Sequence, residues 1–374
     1  MIDTKQRNKR RYKVLIFLVL LIFMILAVFH LLRIRGGRQI QRDTVGSASA
    51  MHMGKHHTSE LDLGLDPING KGPEWEEDMP QEGEMPEEKE GRVFYKSKAY
   101  DFNEDIMTFL VMGIDQRSET VREQTEGFGG GSADAIFLLV LNPHSKKMQI
   151  IAIDRNTMTD VDIYDYYGTY LETIQTQICV QHDYGDGTVK SAQYMEKAVS
   201  NFMYGLPING YCAINMSAIA KINDAVGGVD VEVLEDLTKR DRTLVKGETV
   251  HLEGKHAFVY LQWRDTSVFG SAEGRLERQK QYLCALSEKV KSRFKEDVTF
   301  PVTMYRELGP YMTTDLNAEK VIYLADLAAG FDLSAADITK IKGETVMGEK
   351  YEEFYVDEDA LYELILDTFY EEVK

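Results

Sequence analysis

The sequence predicts a layered α/β domain that is preceded by one membrane-spanning helix. Two observations lead to this expectation. From about Asn103 onward, short apolar runs of strand length alternate with segments whose apolar residues recur at helical spacing. Near the N-terminus, residues 14–32 instead form a single long run without a charged side chain. Interspersed strands and helices are typical of layered α/β folds, and an uncharged run of this length is typical of a bilayer span.

The apolar run from Val14 to Leu32 reads VLIFLVLLIFMILAVFHLL. As a helix it would extend about 28 Å, close to the thickness of the hydrocarbon core. Six basic residues precede it and four follow it. The positive-inside rule therefore predicts a single-pass signal-anchor in the cell membrane, with residues 1–13 as a cytoplasmic tail and the bulk of the chain extracytoplasmic. A cleaved signal peptide is the alternative, although its apolar region is usually shorter.

Residues 33–102 are expected to form an acidic, disordered linker, because the segment from Glu74 to Glu90 contains nine acidic residues and one lysine. The whole chain has a net charge of −18. Residues 1–42 nevertheless hold ten basic residues and one acid, so the negative charge belongs to the predicted exterior portion. This acidic balance excludes general nucleic-acid binding, which requires a basic surface.

The folded region is expected to comprise a main domain, residues 103–295, and a small C-terminal α/β extension, residues 296–374, that has no recognisable chemical motif. The predicted strands are Met107–Met112, Ala135–Leu141, Met148–Ile153 and Phe258–Trp263, with a hairpin turn at residues 142–147. The predicted helices include Ser191–Tyr204 and Arg275–Val290. The three cysteines, Cys179, Cys212 and Cys284, are expected to be free thiols.

Charged side chains flank the predicted strands at one edge of the sheet: Asp115, Arg117, Asp134, Arg155 and Arg264. Several guanidinium groups together suit the oxygens of a pyrophosphate. Carboxylates are hard oxygen ligands of the kind that Mg²⁺ uses when it bridges phosphates. The alternative is that each arginine forms an ordinary surface ion pair, such as Arg264 with Asp265.

Arg275 and Arg278 lie on one face at the start of a predicted helix. Like charges at this spacing repel each other, and cations at a helix N-terminus oppose the helix dipole. Both penalties disappear if an anion docks there, because the free N–H groups and both guanidinium groups then point toward it. The pair therefore favours an anion site, with a solvated helix face as the alternative.

The order and spacing of these residues resemble the LytR-CpsA-Psr family of cell-wall proteins. The resemblance covers roughly residues 105–290. Its motifs are Gly113-x-Asp115-x-Arg117, Ala133-Asp134-Ala135, Ile153-Asp154-Arg155-Asn156-Thr157, Leu252-Glu253-Gly254-Lys255-His256-Ala257, Tyr260-x-x-x-Arg264 and Arg275-Leu276-Glu277-Arg278-Gln279.

The resemblance implies a central mixed sheet covered by helices, with an apolar pocket for a lipid tail. It also implies a phosphotransferase that attaches a polyprenyl-pyrophosphate-linked glycopolymer, such as a teichoic acid or capsule, to peptidoglycan at the membrane. Mg²⁺, with Mn²⁺ as the alternative, would be the cofactor. The implied catalytic residues are Asp115, Arg117 and Arg155, the pyrophosphate ligands are Arg155, Arg264, Arg275, Arg278 and Gln279, and the metal ligands are Asp115 and Asp134.

The chain departs from the family pattern at several of these positions. Ser132 and Gln262 stand where the family often has arginine. Asp154 replaces a proline and Asn156 an aspartate, and Glu273 lies one residue from a missing aspartate. The substitutions at Ser132 and Gln262 keep open a non-catalytic module that binds lipid pyrophosphate or wall polymer. A hydrolase that uses water as the acceptor is a third hypothesis, because the same site would permit it.

Overall fold

The computed structural model describes residues 30–42, 92–116, 130–165, 167–265, 268 and 271–373. The predicted cytoplasmic tail and most of the predicted membrane helix, residues 14–32, lie outside these ranges. Within them, no helix has both the length and the apolar character needed to cross a membrane.

Strands and helices alternate along the described chain. The strands are β1 (Val93–Tyr95), β2 (Lys98–Phe102), β3 (Met107–Asp115), β4 (Ser132–Asn142), β5 (Lys147–Ile153), β6 (Met158–Tyr164), β7 (Tyr170–Gln177), β8 (Tyr211–Asn215), β9 (Val229–Glu232), β10 (Thr249–Leu252), β11 (Met312–Thr314), β12 (Ile338–Lys340), β13 (Gly343–Met347), β14 (Glu352–Val356) and β15 (Tyr370–Glu372). The helices are α1 (residues 30–42), α2 (Val189–Phe202), α3 (Ile219–Ala225), α4 (Lys255–Gln262), α5 (Ser271–Glu296), α6 (Phe300–Leu308), α7 (Ala318–Ala329) and α8 (Glu358–Phe369).

The central sheet has six strands in the order β11-β8-β3-β4-β5-β12. It is mixed, because β3, β4 and β5 form an antiparallel meander while β8 and β12 run parallel to β3 and β5. The hairpin predicted at residues 142–147 connects β4 to β5, and Lys146 adopts a positive φ of 54° in this turn. The mixed sheet that the resemblance implies is therefore present.

Helices cover the central sheet on both faces, because its strands bury alternate side chains on opposite sides. Leu110 and Met112 of β3 belong to an apolar cluster that includes residues of α2 and α8. Phe109 of the same strand belongs to a second cluster, which includes residues of α1 and α7. A third cluster joins α4, α5 and the β9–β10 ribbon. The result is the layered α/β arrangement that the sequence predicts.

The predicted strand Phe258–Trp263 is wrong, since residues 255–262 form the helix α4. Ala257, Tyr260 and Leu261 are all buried in the third cluster, and this i, i+3, i+4 spacing places them on one helical face. A short apolar run cannot be assigned to strand or helix by periodicity alone. Gly254, with φ of 48°, reverses the chain immediately before the helix begins.

The C-terminal region is not a separate extension of the main domain. Strands β11 and β12 add to the two edges of the central sheet, and α8 packs into the first cluster. The boundary predicted at residues 295–296 therefore falls inside one continuous fold. Sheet pairing between distant segments leaves no local signal in the sequence, so the sequence alone does not reveal this continuity.

The predicted linker, residues 33–102, also contains ordered structure at both ends. Residues 33–42 belong to α1, and residues 93–102 contain the hairpin β1–β2. The side chain of Ile40 is fully buried among sheet residues of the second cluster, and Arg33 pairs with Asp326 of α7 at 3.0 Å. The intervening residues 43–91 lie outside the described residues.

Candidate functional site

The antiparallel meander brings the predicted site residues to one edge of the central sheet. Asp115 ends β3, Asp134 lies near the start of β4, and Arg155 follows the end of β5. Because adjacent antiparallel strands run in opposite directions, these three positions lie side by side. The start of α5 carries Arg275 across this edge and encloses a cavity of about 40 Å³.

The cavity is lined by both polar and apolar side chains. Its polar lining includes Asp134, Arg155, Arg275 and Gln279. Its apolar lining consists of Ala135, Ile136, Phe137, Ala152, Ile153, Ala272 and Leu276. The lining thus combines charged groups that suit an anion with apolar surface.

Asp134 and Arg155 form an ion pair within the cavity. Arg155 Nη1 donates to Asp134 Oδ1, and Arg155 Nη2 lies 3.4 Å from the sulfur of the buried Cys179. Burial raises the pKa of the Asp134 carboxyl, while Arg155 and Arg275 act in the opposite direction. The arginine is thereby held in place before any ligand arrives.

Arg275 is the unusual cation of this site. Its side chain is 8% exposed, yet among the described residues its guanidinium group has neither a hydrogen-bond partner nor an ion-pair partner. Burial lowers its pKa, and the positive charge of Arg264 contributes in the same direction. The carboxylates of Asp134 and Asp154 act on its pKa in the opposite direction, but neither bonds to it directly, so its guanidinium donors remain available for an anion.

Arg264 lies close enough to influence Arg275 and Asp134 electrostatically. It occupies the extended segment after α4, where its Nη1 is 3.2 Å from a carboxylate oxygen of Glu352. Glu352 belongs to β14, in the C-terminal region where the sequence shows no chemical motif. The C-terminal region therefore helps to order the site.

Arg278 does not line the cavity, although its predicted role was to bind pyrophosphate. Its side chain is fully buried, donates to the backbone carbonyl oxygens of Tyr260 and Trp263, and pairs with Glu235 at 2.7 Å. These contacts join the end of α4 to α5. Gln279 does line the cavity, and its Nε2 donates to the carbonyl oxygen of Leu261 at 3.3 Å.

The two predicted metal ligands, Asp115 and Asp134, offer only carboxylate oxygens. Asp115 is exposed at the end of β3, and its charge contributes to raising the pKa of Asp134. The described residues contain no group of three or more His, Cys, Asp or Glu side chains that could hold a metal ion. Two carboxylates fit Mg²⁺ when phosphate oxygens complete its coordination. Arg117, the remaining predicted catalytic residue, lies outside the described residues.

Sequence reasoning missed one cation of the cavity, Lys340, which ends β12. Its Nζ lies 3.4 Å from Glu273 and 3.9 Å from Asp154. No motif marks this lysine. The sequence points to it only indirectly, because Glu273 and Asp154, the two carboxylates near Lys340, lie where the chain departs from the family pattern.

Two curated relatives share this region of the chain. A polyisoprenyl-teichoic acid–peptidoglycan teichoic acid transferase, TagU of Bacillus mycoides, is 30% identical over 184 residues, which are 49% of this chain and 52% of the relative. TagV of Bacillus subtilis, a transferase of the same description, is 24% identical over 273 residues, covering 71% of this chain and 64% of that protein. The chain thus spans about half to two thirds of these relatives.

Comparison with a solved structure shows the fold, and comparison with a family model shows the family. The crystal structure of B. subtilis TagV superimposes with a TM-score of 0.54 at 23% identity, covering 71% of this chain and 96% of that one. This likeness shows that the fold is shared. The model of the LytR_cpsA_psr family matches residues 78–367, which include both the cavity and the C-terminal strands β11 and β12. The chain therefore belongs to the LytR_cpsA_psr family.

Proposed function

We propose that the protein is an extracytoplasmic phosphotransferase that attaches a polyprenyl-pyrophosphate-linked glycopolymer to peptidoglycan. The observation that carries this proposal is Arg275, a buried guanidinium group without a hydrogen-bond or ion-pair partner among the described residues, in a cavity that Arg155 also lines. A pyrophosphate would supply the missing negative charge.

The names of the relatives support the reaction class. Those proteins are described as transferring teichoic acid from a polyisoprenyl carrier to peptidoglycan. A teichoic acid is therefore the first polymer to test, and a capsular polysaccharide is the second. A lipid-linked donor requires access to a bilayer, which the predicted single-pass anchor at residues 14–32 would provide.

The proposed reaction is an in-line displacement at phosphorus. A hydroxyl oxygen of peptidoglycan bonds to the phosphorus that carries the glycopolymer, and the bond from this phosphorus to the bridging oxygen breaks. Polyprenyl phosphate leaves with the electron pair, and the hydroxyl proton passes to the carboxylate of Asp115. Arg155 and Arg275 bind the phosphate oxygens and stabilise the charge that develops on them.

Asp115 and Asp134 would hold a divalent cation, Mg²⁺ or Mn²⁺, together with oxygens of the bound pyrophosphate. Such a cation supplies positive charge to the phosphates. Asp134 would share its carboxylate between the cation and Arg155, because the ion pair already occupies one of its oxygens. Asp115 is exposed at the end of β3, so its carboxylate is accessible to a cation from solvent.

Transfer can be tested with the purified 374-residue chain, a lipid-pyrophosphate-linked saccharide, peptidoglycan fragments and Mg²⁺. We expect a saccharide–peptidoglycan product that is lost in Arg275→Gln and retained in Lys342→Met, an exposed lysine outside the cavity. Binding of the lipid without product would support the non-catalytic module instead. Release of the saccharide phosphate into water would support the hydrolase.

A further inference from the structure

We infer that Lys340 is a ligand of the pyrophosphate group of the lipid-linked donor and supplies positive charge to the cavity from the C-terminal strand β12. This inference rests on the proposed function and adds a residue to the same site. Lys340 lines the cavity together with Arg155, Arg275 and Gln279. No sequence motif assigns a role to this lysine.

Strand topology places Lys340 beside Arg155. Strand β12 runs parallel to β5, with Lys340 opposite Ala152. The carboxyl ends of parallel neighbours meet at the same edge of a sheet. Arg155 follows the end of β5, so both cations enter the cavity from this edge, while Arg275 faces them from α5.

The lysine is held in position but keeps hydrogen-bonding capacity for a ligand. Its Nζ lies 3.4 Å from Glu273, 3.9 Å from Asp154 and 5.3 Å from the centre of the Phe354 ring. Both carboxylate distances exceed the usual 2.7–3.2 Å of a strong hydrogen bond. An ammonium group has three donors, so a phosphate oxygen can bond to Nζ without displacing the lysine.

The two carboxylates near Lys340, Glu273 and Asp154, both lie where the sequence departs from the family pattern. Asp154 stands where the pattern has proline, and Glu273 lies in the altered segment before Arg275. Both side chains pair with Lys340. Three residues that differ from, or lie outside, the family motifs therefore form one contact set at the cavity.

The charges already present explain why a further cation is useful. Arg155 faces Asp134, and Arg264 faces Glu352, so part of their positive charge is compensated. Ser132, at a position where the family often has arginine, instead donates to Asp183 at 2.7 Å. A pyrophosphate carries more than one negative charge, and Arg275 alone does not balance it. Lys340 adds a further cation, and its carboxylate neighbours Glu273 and Asp154 lie at 3.4 and 3.9 Å, farther away than Glu352 lies from Arg264.

Binding of farnesyl pyrophosphate, a short and soluble polyprenyl pyrophosphate, tests this inference by calorimetric titration of the 374-residue chain. Lys340→Met should weaken binding about tenfold, as expected for the loss of one charge-assisted hydrogen bond. Lys340→Arg should restore binding to within about twofold, because the positive charge is retained. Lys342→Met, which removes an exposed lysine two residues away, should leave affinity unchanged.

Arg275→Gln separates this inference from the proposed function. If Arg275→Gln weakens binding and Lys340→Met does not, Lys340 is no ligand, while the proposed function stands. If neither substitution changes affinity, the pyrophosphate site lies elsewhere and the proposed function fails as well.

Glu273→Gln distinguishes a ligand from a residue that only braces the sheet edge. Glu273 is 67% exposed and competes with phosphate for Lys340. If Lys340 binds the pyrophosphate, removing this carboxylate charge should tighten binding. If the lysine acts only by fastening β12 to α5, Glu273→Gln should weaken binding as much as Lys340→Met does, which would overturn the inference.

Discussion

Arg155 and Asp134 form an ion pair inside the cavity, because antiparallel pairing of β4 with β5 places the start of one strand beside the end of the other. Burial raises the pKa of the Asp134 carboxyl, and the guanidinium group opposes this shift. Each charge therefore compensates the other where water has limited access. Removing one partner should be more unfavourable than removing both.

Asp134→Ala is expected to lower the free energy of unfolding by about 2–4 kcal/mol, because the Arg155 guanidinium remains largely buried without its carboxylate. The double variant Asp134→Ala/Arg155→Met should recover part of this loss. Urea unfolding of both single variants and the double variant measures the coupling as a double-mutant cycle. Strictly additive effects would contradict an energetically coupled pair.

Arg275→Met is expected to stabilise the protein while it removes pyrophosphate binding. The native guanidinium is buried and lies near the positive charge of Arg264, and both factors lower its pKa. An apolar side chain of similar length removes this unfavourable charge, so the free energy of unfolding should rise by about 1 kcal/mol. Thermal unfolding and farnesyl pyrophosphate titration of the same sample check both effects. A fall in stability would show that Arg275 is a structural residue.

Arg278→Met is expected to destabilise the protein and to leave pyrophosphate binding largely unchanged. This guanidinium donates to the carbonyl oxygens of Tyr260 and Trp263 and pairs with Glu235, so its loss leaves buried acceptors unpaired. The free energy of unfolding should fall by about 3 kcal/mol. Affinity for farnesyl pyrophosphate, measured at a temperature where the variant is folded, should change little. A large loss of affinity with unchanged stability would show that Arg278 binds pyrophosphate, as the sequence predicts.

The contrast between Arg275 and Arg278 shows how far the sequence predicts the site. Their spacing correctly places both on neighbouring positions of one helix. It does not show which of them points toward the end of α4, since α4 itself reads as a strand in the sequence. Arg278 finds carbonyl acceptors there, and only Arg275 remains in the cavity. Local spacing thus predicts the element, while the neighbouring helix decides the role of each side chain.

The meander β3-β4-β5 is predicted well, because continuous apolar runs separated by a turn are a local signal. Strand β12 is not predicted as part of the same sheet. It has three residues and pairs with β5 across nearly two hundred positions, and no local pattern encodes that contact. Lys340 therefore cannot be predicted as a site residue without knowing that β12 pairs with β5.

Glu196 should make stability depend on pH. Burial, with a further contribution from the charge of Asp315, raises the pKa of the Glu196 carboxyl from 4.5 to about 7. The folded state therefore favours the protonated acid. Its contribution to stability is fully present below pH 4.5 and is lost as pH rises through about 7.

Glu196→Gln should accordingly stabilise the protein at pH 8 and change little at pH 4.5. The gain at pH 8 should be at most about 3 kcal/mol, and smaller because water still reaches part of the side chain. Urea unfolding across this pH range measures it, with Glu172→Gln on the exposed surface as the matched control. Equal gains at both pH values would show that burial of the charge is not the cause.

Gly36→Leu is expected to release α1 from the domain. A Cβ atom at Gly36 would lie 2.1 Å from the carbonyl oxygen of Glu319 in α7, so the two helices can approach this closely only if position 36 is glycine. The helix must then move outward and expose Ile40, which should lower the free energy of unfolding by about 1–3 kcal/mol. Trypsin should also cleave faster after the arginines of α1, and Gln41→Leu, at an exposed position of the same helix, provides the control. Unchanged cleavage in Gly36→Leu would show that the packing of α1 does not depend on this contact.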